Sequence, residues 1–295
     1  MYNLLELRRM KNILLLVNYN DYDNTIHLVE NVKNYKIIDK IVIVDNNSKD
    51  NSFDRLNTLS TEKIVVIKND NSSLSSGLNF GIKEIEKQYK DYNLIVSNSD
   101  IIIKSEDTIK NLIEIINDSD DIALISPIIE EHGKLNRGWK LVSPKKEILF
   151  NILYFRKFFE KKYLYYPDKY YENKDITQVD VCSGCFYIIK GSVLKEVDYY
   201  DEGVFLYYEE NILAKKIKNI KKSEVISLNN TIIHNHSVTI DKAYSKINKF
   251  KILKKSQIYY EKNFNSASIC DIMLMKFFSG ISLIIMKVYL FIKGD

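Results

Sequence analysis

The sequence predicts an α/β fold: a mostly parallel sheet flanked by helices, followed by an amphipathic helical tail. Three observations carry this. Short apolar runs rich in β-branched residues recur over the first 125 residues, helical patterns separate them, and most runs end in Asn or Asp. Continuous apolar runs of four to eight residues are the pattern of strands buried on both faces. Alternation of strand and helix argues for parallel crossover units.

The elements follow in order. Residues 12–19 form the first run; 41–45, 64–67, 94–96 and 122–125 continue the series. Arg8, Arg9 and Lys11 precede an apolar stretch that covers only Ile13 to Val17. A secretory core needs ~7–15 apolar residues, so this stretch is expected to be a buried first strand. Helical stripes lie between the runs: Ile26, Val29 and Val32; then Leu78, Ile82, Ile85 and Tyr89; then Ile109, Leu112, Ile113 and Ile116. Residues 134–176 change character, with the single Trp139 and many Tyr and Phe among basic residues, and read as a short helix and a loop over the sheet. Strand character returns at 179–190 and 231–233, and a helix is expected from Asn211 to Ile217.

Composition narrows the class. The chain has 295 residues, 45% of them hydrophobic, with 9 Gly and 3 Pro, which excludes disordered, collagenous and linker-like proteins. Three Cys exclude a disulfide scaffold and suit a reducing compartment. Residues 242–295 hold ten Lys and three acids, net +7, so the remainder carries −3 of the chain's +4. No strand is followed by a dinucleotide or P-loop glycine pattern.

Ligands of open α/β sheets sit at the carboxyl ends of the strands. The polar residues there are Asn18-Tyr19-Asn20, Asp45-Asn46-Asn47-Ser48, Asn69-Asp70-Asn71 and Asn98-Ser99-Asp100. Asn, Asp and Ser also serve as turn and cap residues, so each cluster alone reads either way. Four in succession point to a binding site.

Taken in order, these pieces resemble a family 2 glycosyltransferase of the GT-A fold, with greatest likeness to the bacterial rhamnosyltransferase, capsule and O-antigen branch. The motifs are Val17-Asn18-Tyr19-Asn20; VIVDNNSKDNS from Val42 to Ser52; NSSLSSGLNFGI from Asn71 to Ile82, including Gly77 and Asn79; and Asn98-Ser99-Asp100. Downstream are Ser183-Gly184-Cys185, Asp201-Glu202, and FLYYEENIL from Phe205 to Leu213. The resemblance covers about residues 12–240. It implies a glycosyltransferase domain over 1–240, with a nucleotide-sugar half at about 10–130 and an acceptor half at about 131–240, followed by the tail at 241–295.

The implied activity is inverting transfer of a hexosyl or deoxyhexosyl group from a UDP- or dTDP-sugar to a lipid-linked or growing bacterial surface polysaccharide. By the resemblance, Asp45 reads the uracil or thymine N3–H. The other donor contacts are Asn18, Tyr19, Asn20, Asn47, Asp70, Asn71, Gly77, Asn79, Asn98 and Ser99. Glu210 is the base, with Glu209 beside it, and Trp139, Ser183 and Gly184 lie on the acceptor side. A helix N-terminus stabilises negative charge, so Glu210 is expected to need no raised pKa.

The chemistry fits on its own terms. A departing diphosphate needs a cation, and a strand-end carboxylate such as Asp100 can hold Mg²⁺ or Mn²⁺, which prefer oxygen ligands. His234 or His236, after the last strand, could complete the shell; the resemblance favours His234. Cys182-x-x-Cys185 has no second pair and sits in a strand-like run, so it is not expected to bind zinc. Ile212 stands where the family has an acid, and Lys215 or Lys216 where it has Arg. That departure leaves open a non-catalytic nucleotide-sugar- or membrane-binding protein that keeps the fold.

In the tail, residues 269–292 place Lys276, Gly280 and Lys287 on one side and an apolar arc opposite. Its longest uncharged run, Phe277 to Met286, is short for a span of ~20 residues. The tail is expected to lie on an anionic membrane surface, making the protein peripheral on the cytoplasmic face, or else to dock on the domain or in a homodimer. No nucleic-acid recognition motif is present.

Overall fold

The computed structural model describes residues 10–70, 73–153, 155–235 and 245–293. Asn71 and His236 lie outside the described residues. The first strands are β1 (Lys11–Asn18), β2 (Lys40–Asn46), β3 (Ile64–Asn69), β4 (Tyr92–Ser97) and β5 (Ile101–Ile102); then come β6 (Ile122–Glu131), β7 (Lys134–Asn136), β8 (Ile176–Val179), β9 (Phe186–Lys190) and β10 (Ser223–His234). They form one mixed sheet in the order β3-β2-β1-β4-β9-β6-β10-β5, with β7 on β6 and β8 on β10. The stretch β3-β2-β1-β4 is parallel, as expected. Beyond it β9 inserts antiparallel between β4 and β6, which makes the second half of the sheet mixed.

Both faces of β1 are buried. Leu14 and Leu16 enter one core with α1 (Tyr22–Val32), α2 (Ser52–Asn57) and α4 (Glu106–Asn117), while Ile13 and Leu15 enter the other with α3 (Leu74–Glu86), α7 (Gly191–Glu196) and α8 (Glu209–Asn219). This two-sided burial is why the strand reads as an unbroken apolar run. Helix α3 sits hard on the sheet because two positions lack a side chain. A Cβ at Gly81 would lie 2.5 Å from Leu15 Cδ1, and one at Gly77 would lie 2.9 Å from Val17 Cγ1. The other motif residue of α3, Asn79, donates to Tyr200 O (2.9 Å) and accepts from Tyr200 N (3.0 Å), tying the helix to the loop before α8. Gly77 and Asn79, expected to contact the donor, act here in packing.

Residues 134–176 contain α5 (Pro144–Leu149) and the single turn α6 (Arg156–Phe159). Two helices follow β10: α9 (Lys246–Asn263) and α10 (Ile269–Lys293). Neither is detached from the domain. Tyr260 of α9 joins Val204 and Ile212 in a small core, Gln257 donates to Glu147 Oε1 at 2.8 Å, and Ser256 donates to Leu206 O at 2.7 Å. Ser279 and Ser282 of α10 donate to Asn151 Oδ1 (2.8 Å) and Asn151 O (2.9 Å). By length and composition alone, residues Ile269–Ile292 of α10 are sufficient to cross a bilayer.

Candidate functional site

The carboxyl ends of the strands open into a cavity of about 500 Å³. Tyr19, Asn98, Ser99, Asp100, Ser183, Gly184, Glu209, Glu210 and His234, all expected in the site, line it. Two devices bring the distant ones together. A bulge in β10 shifts its register against β6 between Ser227 and Thr231, after which His234 pairs with Ile101. That register sets the imidazole against Asp100, whose Oδ1 lies 3.1 Å from Nε2, and against Glu131, whose Oε1 lies 2.9 Å from Nδ1. The second device is the loop before α8. Tyr207 and Tyr208 both adopt left-handed backbone, φ 71° each, which turns the chain abruptly and delivers Glu209 and Glu210 to the cavity. Such conformations are costly for bulky residues and persist only where surrounding packing enforces them.

The electrostatics of the cavity are dominated by recessed acids. Burial raises Glu209 to about 8, and the charge of Glu210 adds to the rise. Burial also raises Glu210, with the neighbouring Glu209 limiting the effect. The expectation that the helix N-terminus keeps Glu210 at an ordinary value is therefore corrected: desolvation outweighs the dipole. Burial sets both carboxyls above the usual carboxylate range, and Glu210 is the member of the pair that the sequence motif singles out. Gly184 lies under it: a Cβ there would stand 3.8 Å from the Glu210 carboxyl carbon, so the bare backbone leaves room beside the carboxylate.

A third acid, Glu224 of β10, also lines the cavity. It accepts from Cys182 N at 2.7 Å and is pushed up to about 8 by burial. Glu261 of α9, fully buried against Asn265, is likewise raised to about 8, chiefly by burial. The folded chain thus holds protons that an unfolded chain releases above a glutamate's usual ~4.3. Stability should therefore fall as pH rises from about 4.3 to about 8. Melting in metal-free buffer is expected several degrees higher at about pH 5.5 than at about pH 8. Glu261→Gln should flatten that slope. A melting temperature that climbs with pH would contradict the assignment.

The His234 imidazole is opposed by burial, but its hydrogen bonds to Asp100, Cys185 and Glu131 prevail and raise it to about 12. An imidazole beside a carboxylate, with its other nitrogen tied to a second carboxylate, is the donor arrangement that binds a divalent cation once the ring proton leaves. Glu131, Cys185 and His234 also bring their donor atoms within 4.8 Å of one another. These residues fit a metal.

Several expected residues sit elsewhere. Asp45 does not reach the cavity: it is fully buried, accepting from Asn18 Nδ2 at 2.9 Å and Ser48 N at 3.2 Å. Asn18 is enclosed with it, and donates to Ser48 Oγ as well. Adjacent strand residues face opposite ways, so Asn46 lines the cavity instead. Asn20 and Asn47 shape the strand-end turns. Asn20 Oδ1 accepts from Lys49 N, and Asn47 Nδ2 donates to the carbonyl of exposed Asp70. Trp139 lines a separate cavity of about 170 Å³ with Glu147, Arg156 and Lys254. Residues that sequence reading missed are Asp21, Glu131 and Glu224; Asn46 it named only within a strand-end cluster, and Cys185 only in a motif and as a cysteine not expected to bind zinc. Glu224, second in β10 and just before Val225 and Ile226, left no distinctive signal, and the strand-end acid of β6 was the available one for Glu131.

Residues 14–198, well over half of the chain, match the family model described as Glycosyl transferase family 2. No curated protein matches the chain. Among solved structures, the crystal structure of GalNAc-T7 with UDP, GalNAc and Mn²⁺ is similar at a TM-score of 0.63 and 14% identity, over 86% of this chain and 48% of that one. The mannosyltransferase PcManGT from Pyrobaculum calidifontis, in complex with GDP-Man and Mn²⁺, is similar at 0.57 and 11% identity, over 86% of this chain and 65% of that one. The chain thus spans about half the length of the first and under two thirds of the second, and at these identities the likeness is one of fold. On the family match and the sheet that carries it, the chain belongs to glycosyl transferase family 2.

Proposed function

We propose that the chain is an inverting glycosyltransferase that moves a hexosyl or deoxyhexosyl group from a UDP- or dTDP-sugar to a lipid-linked or growing bacterial surface polysaccharide. The observation that carries the reading is that one cavity of about 500 Å³ holds Glu210, with Glu209 beside it, together with Asp100 and His234. Asp100 and His234 would hold Mg²⁺ or Mn²⁺, and Glu131, 2.9 Å from Nδ1 of the same ring, lies close enough to share in holding it. When bound, that ion offsets the charge developing on the leaving diphosphate. Tyr19, Asn98 and Ser99 are the expected donor contacts that line the cavity, Asn46 being held by Ser73 O and Asn69, and Ser183 and Gly184 border the acceptor hydroxyl. Glu210 takes the hydroxyl proton while the acceptor oxygen attacks the anomeric carbon, in a single displacement.

The reading as a non-catalytic binder drew on Ile212. That residue packs with Val204 and Tyr260 in a small core, away from the two acids, so the change costs the cavity no carboxylate. The exposed apolar side of α10 and the lysines of the tail support a peripheral position on the cytoplasmic membrane face.

The test is a thermal-shift screen of nucleotide sugars with and without Mn²⁺, followed by a transfer assay on the hits. One UDP- or dTDP-sugar is expected to stabilise the protein, more so with Mn²⁺. Asp100→Asn should lose the Mn²⁺-dependent part. Absence of any nucleotide-sugar shift would refute the donor reading.

A further inference from the structure

The cavity contains one chemistry that the proposed transfer does not use, a thiol among the metal-binding groups. Cys185 lies just before β9, is almost fully buried and lines the cavity. Its sulfur, a carboxylate oxygen of Glu131 and a ring nitrogen of His234 all fall within 4.8 Å of one another. The three come from residues far apart in sequence, brought together by β9 lying beside β6 and by the shifted register of β10. The backbone around the thiol is held: Cys185 O accepts from Asn98 N at 2.8 Å, which links it to the loop that carries Asp100. Ser183 Oγ lies 3.3 Å from the sulfur.

We propose that Cys185 donates its thiolate to a divalent cation bound at His234 and Glu131, so that this site takes thiophilic cations such as Zn²⁺ and Cd²⁺ in preference to Mg²⁺. The inference rests on the reading that a cation sits beside His234, and it adds the ligand that sets which cation binds best. Zinc bonds of ~2.0–2.3 Å to N, O and S place neighbouring donors roughly 3.3–3.8 Å apart, so small side-chain shifts close the shell. Thiolate and imidazole favour zinc-like ions, whereas carboxylates alone favour magnesium and manganese. The thiol proton and one ring proton of His234 are both released to solvent on binding.

The other cysteine of the C-x-x-C spacing takes no part. Cys182 Sγ meets Val225 O at 3.5 Å, and burial, with the adjacent Glu224, pushes its thiol well up. Cys185 alone thus departs from the expectation that Cys182-x-x-Cys185 binds no zinc.

The experiment uses the metal-stripped full chain carrying Cys270→Ser, which removes the exposed thiol. Titration with Cd²⁺ is followed through the ultraviolet thiolate-to-cadmium charge-transfer band, and Mn²⁺ binding through paramagnetic resonance. The band is expected to appear at one equivalent, to persist in Cys182→Ser and to vanish in Cys185→Ser. The last change should weaken Zn²⁺ binding at least ~10-fold and Mn²⁺ binding less than ~3-fold. X-ray absorption of the zinc-loaded chain with Cys185 intact, where folding of a Cys185 variant is not at issue, should show one sulfur at ~2.3 Å. A band that survives in Cys185→Ser, or a zinc shell without sulfur, overturns the proposal. Mn²⁺ binding without any cadmium band overturns this inference alone. Failure of both ions to bind overturns the metal reading of the transfer site as well.

Discussion

Replacing Glu210 with Gln is expected to lower the transfer rate by about 10²–10⁴-fold, the usual worth of a positioned general base, while donor affinity stays within a few fold. The carboxylate lies in the cavity with Glu209 beside it and the bare backbone of Gly184 beneath it. Gln keeps the shape and removes only proton acceptance. The pH profile separates a base from a merely structural acid. Because burial holds Glu210 above the usual carboxylate range, the rate should rise with pH along an acid limb displaced upward from about 4.3. Any residual rate of the variant should lack that limb. Glu209→Gln is the informative companion: it replaces the neighbouring carboxyl by an amide of the same shape and should slow transfer less than the loss of Glu210. Equal rates for the Glu210 variant and the parent would remove this residue from the mechanism.

Much of the architecture was readable because burial on both faces leaves a mark in one dimension. Residues such as Ile13 to Leu16 must all be apolar, and the parallel strands announce themselves as runs. The antiparallel insertion of β9 left no such mark, since pairing partners are decided by tertiary packing. The same distinction governs the site. Asp100, Glu210 and His234 stand at element ends, where motif spacing finds them. Asp45 stands at a strand end too, but the pleat alternates every residue and the motif does not say which of Asp45 and Asn46 faces the cavity. Glu131 left no motif and Cys185 was set aside with its C-x-x-C spacing; the shifted register of β10 is what brings His234 to both. The tail was harder still. Helix α9 docks through Ser256, Gln257, Tyr260 and Glu261, a largely polar buried stripe with no hydrophobic period to detect.

The full chain is expected to sediment with anionic vesicles, and a variant carrying Phe277→Ser, Ile284→Ser and Phe291→Ser is expected to stay in solution. These three side chains are 62%, 64% and 87% exposed on α10, opposite the face on which Met275, Ser282 and Leu290 are buried against the protein. Burying such a side chain in an apolar phase contributes about 1.5–3 kcal/mol, so losing three removes on the order of 5 kcal/mol, roughly a thousandfold or more in partitioning. Lys276 and Lys287 flank this face, and each lysine near an anionic surface adds about 1 kcal/mol, so high salt should weaken binding of the parent chain. The helix also has the length to cross a bilayer, but standing upright would break the hydrogen bonds of Ser279 and Ser282 to Asn151. The docked orientation therefore favours a helix lying along the headgroups with its apolar side down. Donor-induced thermal shifts should be the same in the parent and the variant, because none of the three residues lines the cavity. Vesicle binding unchanged by the triple substitution would end the membrane assignment. Binding that resists both high salt and alkaline extraction would show that α10 spans the bilayer rather than resting on it.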